Sequence, residues 1–415
     1  MLEKLSPSQL RALQKLNSKS NVFLTGSPGT GKSFLIRYFL RTQIEKIPVL
    51  ASTGAAAILV GGRTFHSFFG LGLMQGGAGL VFEKAMKNSR LKSRLRKTQT
   101  LIIDEISMIS SEVLDCAERI ARGVKDSSEA WGGIRVICVG DFAQLPPVRR
   151  TGEVDWAFLG RAWERSAFES VALTECLRTE EADFLRVLDK IRWGEVDEEV
   201  ETLLNELKKK SPKETSPRLF AKRAQAERFN LERLEALPGE SVEYLTRYSG
   251  QDRYLEVLER EAPISSRIVL KENAQVMIRM NDPKQRFVNG SVGRVVEMRD
   301  EKIVVEIKHR YVEIEKFTFS MVDADGNEVA FAENFPVSLA YAQTIHKSQG
   351  LTLDEAHLDL SRLWEPGQAY VALSRAKNRE GLSLEAWDEK SIRADRRVKR
   401  FYQSFSTLNP NSLAN

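Results

Sequence analysis

Cysteine is scarce in this chain: Cys116, Cys138 and Cys176 are its three, and no two are spaced as a Cys-x-x-Cys pair. That argues against a disulfide framework and against structural zinc. Long apolar runs are missing too, since none approaches the roughly 18–20 residues that span a bilayer. The opening residues, Met1-Leu2-Glu3-Lys4-Leu5-Ser6, hold an early acid and no apolar segment, so neither a secretory leader nor an Arg-rich transit peptide is expected. No internal repeat or low-complexity stretch is found, which sets aside solenoid and disordered architectures. The expectation is a cytoplasmic globular protein with no membrane contact. Its 415 residues exceed the ~250–300 at which one hydrophobic core stops growing, so two or more packed units are expected.

The formal net charge is +5, a mild excess that permits a polyanionic partner without requiring one. The positive charge is clustered. Lys84, Lys87, Arg90, Lys92, Arg94, Arg96 and Lys97 have only Glu83 nearby, and Arg393, Arg396, Arg397, Lys399 and Arg400 form a second group. Each is open to two readings, a solvated helix face or a phosphate-binding face.

Short apolar strands alternate with helical stretches. Val22–Thr25, Val49–Ser52, Leu101–Asp104, Val136–Val139 and Val171–Leu173 are each bounded by turn residues, the pattern of a parallel sheet covered on both faces. A similar series runs from Arg218–Ala221 to Val337–Ala342, Ala356–Leu360 and Leu382–Leu384 and predicts a second α/β lobe. Inside it Ala274–Ile278, Val292–Met298, Ile303–Ile307 and Val312–Phe317, with Asn289-Gly290 and Asp325-Gly326 turns, read as an inserted antiparallel barrel.

The run Gly26-Ser27-Pro28-Gly29-Thr30-Gly31-Lys32-Ser33 matches G-x-x-x-x-G-K-[ST], after a strand and before a helix. Its glycines let backbone N–H groups face phosphates, Lys32 reaches the outer phosphates and Ser33 ligates Mg²⁺. The strand Leu101-Ile102-Ile103 ends in Asp104-Glu105. There Asp104 would hold Mg²⁺, and Glu105 would orient and activate water. Gly140-Asp141-Phe142-Ala143-Gln144-Leu145-Pro146-Pro147 follows the next strand, so Gln144 projects toward the same edge, as a γ-phosphate sensor or as part of an ordinary turn. Ser6-Pro7-Ser8-Gln9 reads first as a capping box, with Gln9 at its third helical position.

Several motifs stand in order: Leu5–Gln9, the phosphate loop, Ala51–Ala57, Thr64-Phe65-His66-Ser67, Asp104–Met108, Gly140–Pro147, Leu173–Arg178, Asn289–Gly293, Thr344–Gly350 and Ala369–Ala376. Together they closely resemble the Pif-type (petite integration frequency) DNA helicases of helicase superfamily one, from about residue 5 to 385. Ser110–Val124 is similar to that family's own signature and separates the chain from RecD-like and phage Dda relatives. Thr179 stands where the family has Gln.

The resemblance implies ATP and Mg²⁺ as cofactors, and adenine recognition by Gln9. It implies that Arg178 and Arg375 reach the γ-phosphate from the second lobe, and Gly350 is assigned to the nucleotide with them. Alanine at either arginine is then expected to abolish turnover while leaving thermal stability nearly unchanged. Thr64, Phe65, His66, Thr344, His346, Lys347 and Ser348 are the DNA contacts, gripping the backbone without reading sequence. The resemblance further implies 5′-to-3′ movement on single-stranded DNA, opening of forks, RNA–DNA hybrids and G-quadruplexes, and a monomer in solution. Phe68–Met74, apolar yet Gly-rich, reads either as a projecting wedge or as a surface loop.

The fold class expected is α/β, two RecA-like P-loop lobes with parallel sheets, a small wedge insertion in the first and a small Src-homology-like β-barrel in the second. The first lobe is expected over 1–175, with the wedge at about 67–80. The second covers 176–275 and 336–405, the barrel 276–335, and a polar tail 406–415. Two rivals are a RecD-like motor subunit of a nuclease complex and a non-hydrolysing nucleic-acid-binding module.

Overall fold

The computed structural model describes every residue except 1–4, 53–62, 73, 75, 148–152, 180, 262–263, 281, 283–285, 288, 323–327 and 409–415. The chain divides into two compact units. The first holds residues 1–180 together with 365–367 and 394–415, and the second holds 181–364 and 368–393. Among the described residues no helix is long and apolar enough to cross a membrane.

The first unit begins with α1 (Pro7–Leu16), β1 (Val22–Gly26), α2 (Lys32–Thr42), β2 (Val49–Ala51), β3 (Arg63–Thr64) and α3 (Phe65–Phe69). It continues with α4 (Gly77–Lys87), α5 (Ser89–Lys97), β4 (Thr100–Ile103), α6 (Ser111–Lys125), β5 (Arg135–Val139), α7 (Arg161–Ser166) and β6 (Glu169–Leu173). Its six strands form one sheet in the order β3-β2-β4-β5-β1-β6. Every pairing is parallel. The central strands are buried on both faces, which explains their unbroken apolar runs. Because all six run the same way, with Ile103 opposite Cys138, Leu24 opposite Val139 and Gly26 opposite Leu173, the segments that follow them emerge along one edge.

The second unit contains α8 (Ala182–Arg192), α9 (Glu198–Lys209), β7 (Arg218–Phe220), α10 (Arg223–Glu235), β8 (Val242–Leu245), β9 (Arg247–Gly250), α11 (Asp252–Glu261) and β10 (Arg267–Leu270). Then come β11 (Gln275–Ile278), β12 (Val292–Met298), β13 (Lys302–Ile307), β14 (Arg310–Glu315), β15 (Phe317–Val322), β16 (Glu328–Asn334), β17 (Val337–Leu339) and β18 (Ala342–Thr344). The unit closes with α12 (Ile345–Ser348), β19 (Ala356–Leu360), α13 (Gln368–Leu373) and β20 (Leu382–Trp387). Strands β18-β7-β19-β20 make a parallel sheet. The others form antiparallel sheets in the orders β14-β13-β12-β11-β17, β15-β16-β9 and β10-β8.

These two α/β layers and the antiparallel insertion are the RecA-like fold class expected. The strand pairing of the insertion reaches back to β9, since Tyr248 in β9 lies opposite Ala332 in β16. One strand expectation is corrected. Val337–Ala342 is two strands, because β17 pairs with β11 of the insertion whereas β18 joins β7 of the parallel sheet. The chain changes sheets at Ala340 and Tyr341, where Ala340 N donates to Gln275 O at 2.9 Å and Arg218 N to Tyr341 O at 2.8 Å. The Asp325-Gly326 turn lies outside the described residues.

Helix α14 (Arg396–Leu408) returns to the first unit. Its Phe401 ring stacks on Phe158 at 4.2 Å between centroids and approaches Phe142 and Trp163 at 5.4 and 5.7 Å. Part of the second basic cluster is thereby accounted for, with Arg397 pairing with Asp395 at 2.6 Å and Glu153 at 3.1 Å.

The phosphate-loop site and the two Thr-x-His turns

The phosphate loop leaves β1 and enters α2, whose N-cap Gly31 supplies no side-chain cap. The N–H groups of that first turn are thus kept for an anion. Gly29 and Gly31 have φ of 87° and 86°. A Cβ at Gly29 would stand 2.6 Å from Arg178 Cβ, and one at Gly31 would stand 2.6 Å from Gln9 Nε2. These glycines supply the left-handed turn and also the room for two side chains laid over the loop. Lys32 folds back along it, its Nζ 2.7 Å from Gly26 O and 3.3 Å from Ser27 O.

Gln9 is buried. Its Oε1 accepts from Ser6 N at 3.1 Å, completing the capping box of α1, and its Nε2 donates to Thr30 O at 3.1 Å. The structure therefore shows the capping reading, extended by a grip on the phosphate loop. Glu175 binds the same corner, accepting from Ser6 Oγ at 3.0 Å, Ser8 N at 3.3 Å and Ser8 Oγ. Desolvation works against the Glu175 carboxylate, but the Ser8 and Ser6 donors and nearby backbone N–H groups outweigh it and hold its pKa below the ordinary carboxylate value. The sequence gives Glu175 no chemical role, although it lies inside the Leu173–Arg178 motif.

Asp104 and Glu105 cap the end of β4. Glu105 sits in the left-handed region (φ 52°, ψ 48°), and its N–H donates to Asp104 Oδ1 at 2.9 Å. Loss of water, and then the Glu105 charge, push the Asp104 carboxyl up to about 7 against the opposing pull of the Glu105 amide and Lys32. A desolvated acid beside a second acid is an environment that favours a cation. Gln144 closes a tight turn after β5, its N–H bonded to Asp141 O at 3.0 Å.

Arg178 falls in the first unit, which revises the expectation that it comes from the second lobe. Leu177 N donates to Gly29 O at 2.8 Å, and Cys176 Sγ lies 3.8 Å from Pro28 O. The chain after β6 is thus laid on the phosphate loop itself. Lys32, Asp104, Glu105, Gln144 and Arg178 all follow strands of one parallel sheet at its carboxyl edge, where α/β proteins bind nucleotides.

In the second unit Arg375 is buried, at 1% exposure. Its Nε donates to Val371 O at 2.8 Å, Nη2 to Ser374 Oγ at 2.9 Å, and Nη1 to Leu351 O and Ser348 O at 3.3 and 3.5 Å. The expectation that its loss spares thermal stability is corrected, because this guanidinium braces the loop carrying Gly350. That Gly350 has φ 78° and is itself exposed.

The two units share a local device. Thr64 ends β3 and N-caps α3, accepting from Ser67 N at 3.1 Å; Thr344 ends β18 and N-caps α12, accepting from Lys347 N at 3.2 Å. Each cap is followed by a fully buried apolar residue, Phe65 or Ile345, and then by a partly exposed histidine, His66 or His346. Lys347 follows at the surface, its ammonium pKa lowered by desolvation and then by Arg279 and Arg223.

Three of the expected DNA contacts, Phe65, Thr344 and Ser348, are buried. Phe65 packs on Phe69 at 5.0 Å, and Ser348, fully buried, donates its hydroxyl to Ile345 O at 2.7 Å. The wedge reading changes in the same way. Phe68, Phe69 and Leu71 face the core, with Arg94 over the Phe68 ring at 5.1 Å and Phe69 against Trp131 at 5.9 Å. Of the rest, Leu73 and Gln75 lie outside the described residues, as do Thr53–Ala57 of the motif after β2.

A model of the PIF1-like helicase family matches residues 4–202. The ATP-dependent DNA helicase Pif1 of Bdellovibrio bacteriovorus is 50% identical over 407 residues, which cover 97% of this chain and 93% of that protein. The chain belongs to the PIF1-like helicase family. Among solved structures, Bacteroides sp. Pif1 in complex with ADP-AlF4 superposes with a TM-score of 0.85 at 29% identity, covering 98% of each chain. Bacteroides Pif1 with ADP-AlF3 and single-stranded DNA gives 0.70 at 30% identity, again over 98% of each.

Proposed function

We propose that this member of the family is an ATP-dependent DNA helicase, a single-stranded DNA translocase that moves 5′ to 3′ and opens forks, RNA–DNA hybrids or G-quadruplexes. The observation that carries it is the convergence of Lys32, Asp104, Glu105, Gln144 and Arg178 on one sheet edge around an uncapped helix N-terminus. In this reading Lys32 and the loop N–H groups from Gly26 to Ser33 hold the phosphates. Ser33 and Asp104 hold Mg²⁺, Glu105 orients the attacking water, Gln144 senses the γ-phosphate, and Arg178 supplies charge to it. Arg375 and Gly350 of the second unit are assigned to the same reaction.

Among the described residues no group of three His, Cys, Asp or Glu side chains gathers to hold a metal. Mg²⁺, held by Ser33 and Asp104, would neutralise charge on the phosphates. Adenine recognition by Gln9 would require its amide to exchange the Ser6 and Thr30 partners it holds here.

Thr64, His66, His346 and Lys347 are the proposed DNA contacts, and Phe65, Thr344 and Ser348 support them from beneath. The protein is proposed to act as a monomer, in the cytoplasm and at the nucleoid. The test is a DNA-stimulated ATPase assay with strand displacement on forks bearing one 5′ or one 3′ tail. Glu105→Gln should bind ATP and DNA yet hydrolyse slowly, and Lys32→Ala should not turn over. Normal hydrolysis by Glu105→Gln, or unwinding only from a 3′ tail, would refute the reading.

A further inference from the structure

We propose that Tyr402 is a positioning residue for ATP hydrolysis, its hydroxyl holding the turn that presents Gln144. The proposal rests on the role given to Gln144 above. Tyr402 lies on α14, far along the chain from every recognised motif, yet inside the first unit.

Three partners meet at its oxygen. The N–H of Phe142 donates to it at 3.0 Å, it donates to Asp141 Oδ1 at 3.1 Å, and Thr25 Oγ1 lies 2.8 Å away. A phenol has one proton, so with that proton on Asp141 the Thr25 hydroxyl is the donor in the third bond. Thr25 immediately precedes Gly26, the first residue of the phosphate loop.

Asp141 and Phe142 are the first two residues of the turn that ends at Gln144. Asp141 is fully buried, and its Oδ1 also accepts from Ala143 N at 3.1 Å. The hydroxyl therefore fixes the N–H side of this turn. Its carbonyl side is held as well, because a Cβ at Gly367 would meet Ala143 O at 2.4 Å and Gln144 O at 2.6 Å. With both sides gripped, Gln144 cannot shift unless a brace gives way.

Packing alone would not need the hydroxyl. The neighbouring rings of Phe401 and Phe405 already fasten α14 to Phe23, each at 6.1 Å. The phenolic oxygen adds directional bonds to the backbone of the catalytic turn, and such bonds preorganise a site where apolar contacts only fill space.

Tyr402→Phe keeps the ring and removes only the oxygen. Steady-state DNA-stimulated ATPase should show kcat lowered about tenfold with the KM for ATP within about threefold, since one lost positioning bond acts on the step rather than on binding. The same substitution in a Gln144→Ala background should cost less than about twofold, because the residue acts through a group already absent. Melting temperatures measured alongside keep all assays below unfolding. Wild-type kcat in Tyr402→Phe would overturn the proposal while leaving the Gln144 assignment intact. A full tenfold loss persisting without Gln144 would overturn it too, showing a merely structural role. Wild-type turnover by Gln144→Ala alone would remove the reading of the site, and the proposal with it.

Discussion

Replacing Arg375 and Arg178 separately by alanine should give opposite results in a melting experiment. Arg375 is enclosed and makes two short bonds, to Val371 O at 2.8 Å and Ser374 Oγ at 2.9 Å, and two longer ones to Leu351 O and Ser348 O. At a net ~1 kcal/mol for each short bond, plus about 1–2 kcal/mol for the Leu351 carbonyl that loses its donor while Val371 O keeps Ser374 Oγ and Ser348 O keeps Leu351 N, the loss comes to roughly 3–4 kcal/mol. In a unit of this size 1 kcal/mol moves the midpoint by about 2–4 °C, so Arg375→Ala should melt on the order of 10 °C lower. Arg178 is only partly buried on the phosphate loop, and its alanine variant should stay within about 1 kcal/mol, under ~4 °C. Arg375→Lys should recover little, because an ammonium cannot reproduce the planar fork. Calorimetry with ATPase rates taken well below every midpoint separates folding from turnover. An Arg375→Ala protein melting within about 2 °C of wild type would refute the buried-brace account.

Glu105→Gly should abolish hydrolysis yet be more stable than Glu105→Gln by about 1 kcal/mol, because glycine relieves the left-handed strain at φ 52°; equal midpoints would contradict that strain. Glu175→Ala should raise the KM for ATP severalfold by loosening α1 and the Gln9 grip on Thr30 O. Because the folded state holds the Glu175 pKa down, its contribution is complete above the ordinary carboxylate pKa and fades only as pH falls below it. A KM for Glu175→Ala that matches wild type at neutral pH would show that the carboxylate does not support the site.

Parallel strands such as β1, β4, β5 and β19 were legible because burial on both faces leaves apolar runs, and the phosphate loop was legible because its spacing is dictated by phosphate geometry. Strand β9 was not, since Arg247-Tyr248-Ser249-Gly250 has no apolar alternation and becomes a strand only by pairing with β16. Composition misled at Phe68 and Phe69: an apolar, glycine-rich stretch reads as exposed, but Gly70 ends α3 in a left-handed cap and turns the rings inward. Arg375 was misjudged for a related reason, because a motif fixes a residue's identity but not how deeply it is set. Tyr402 carries no local signal, and the Leu173–Arg178 motif does not reveal the role of Glu175, since the partners of both are supplied by distant parts of the chain.

The return of α14 to the first unit bears on how the protein is made. When residues up to Leu173 have left the ribosome all six strands of the first sheet exist, but the faces of Phe23, Phe142, Phe158 and Trp163 still lack the Phe401 ring that closes over them. Synthesis at ~5–20 residues per second puts that ring on the order of ten to fifty seconds behind. For that interval the aromatic face of the nascent lobe is without its Phe401 cover, and the strand ends that Tyr402 ties together are not yet joined. Full hydrolytic competence should therefore arise late in translation, once the second unit has already been synthesised.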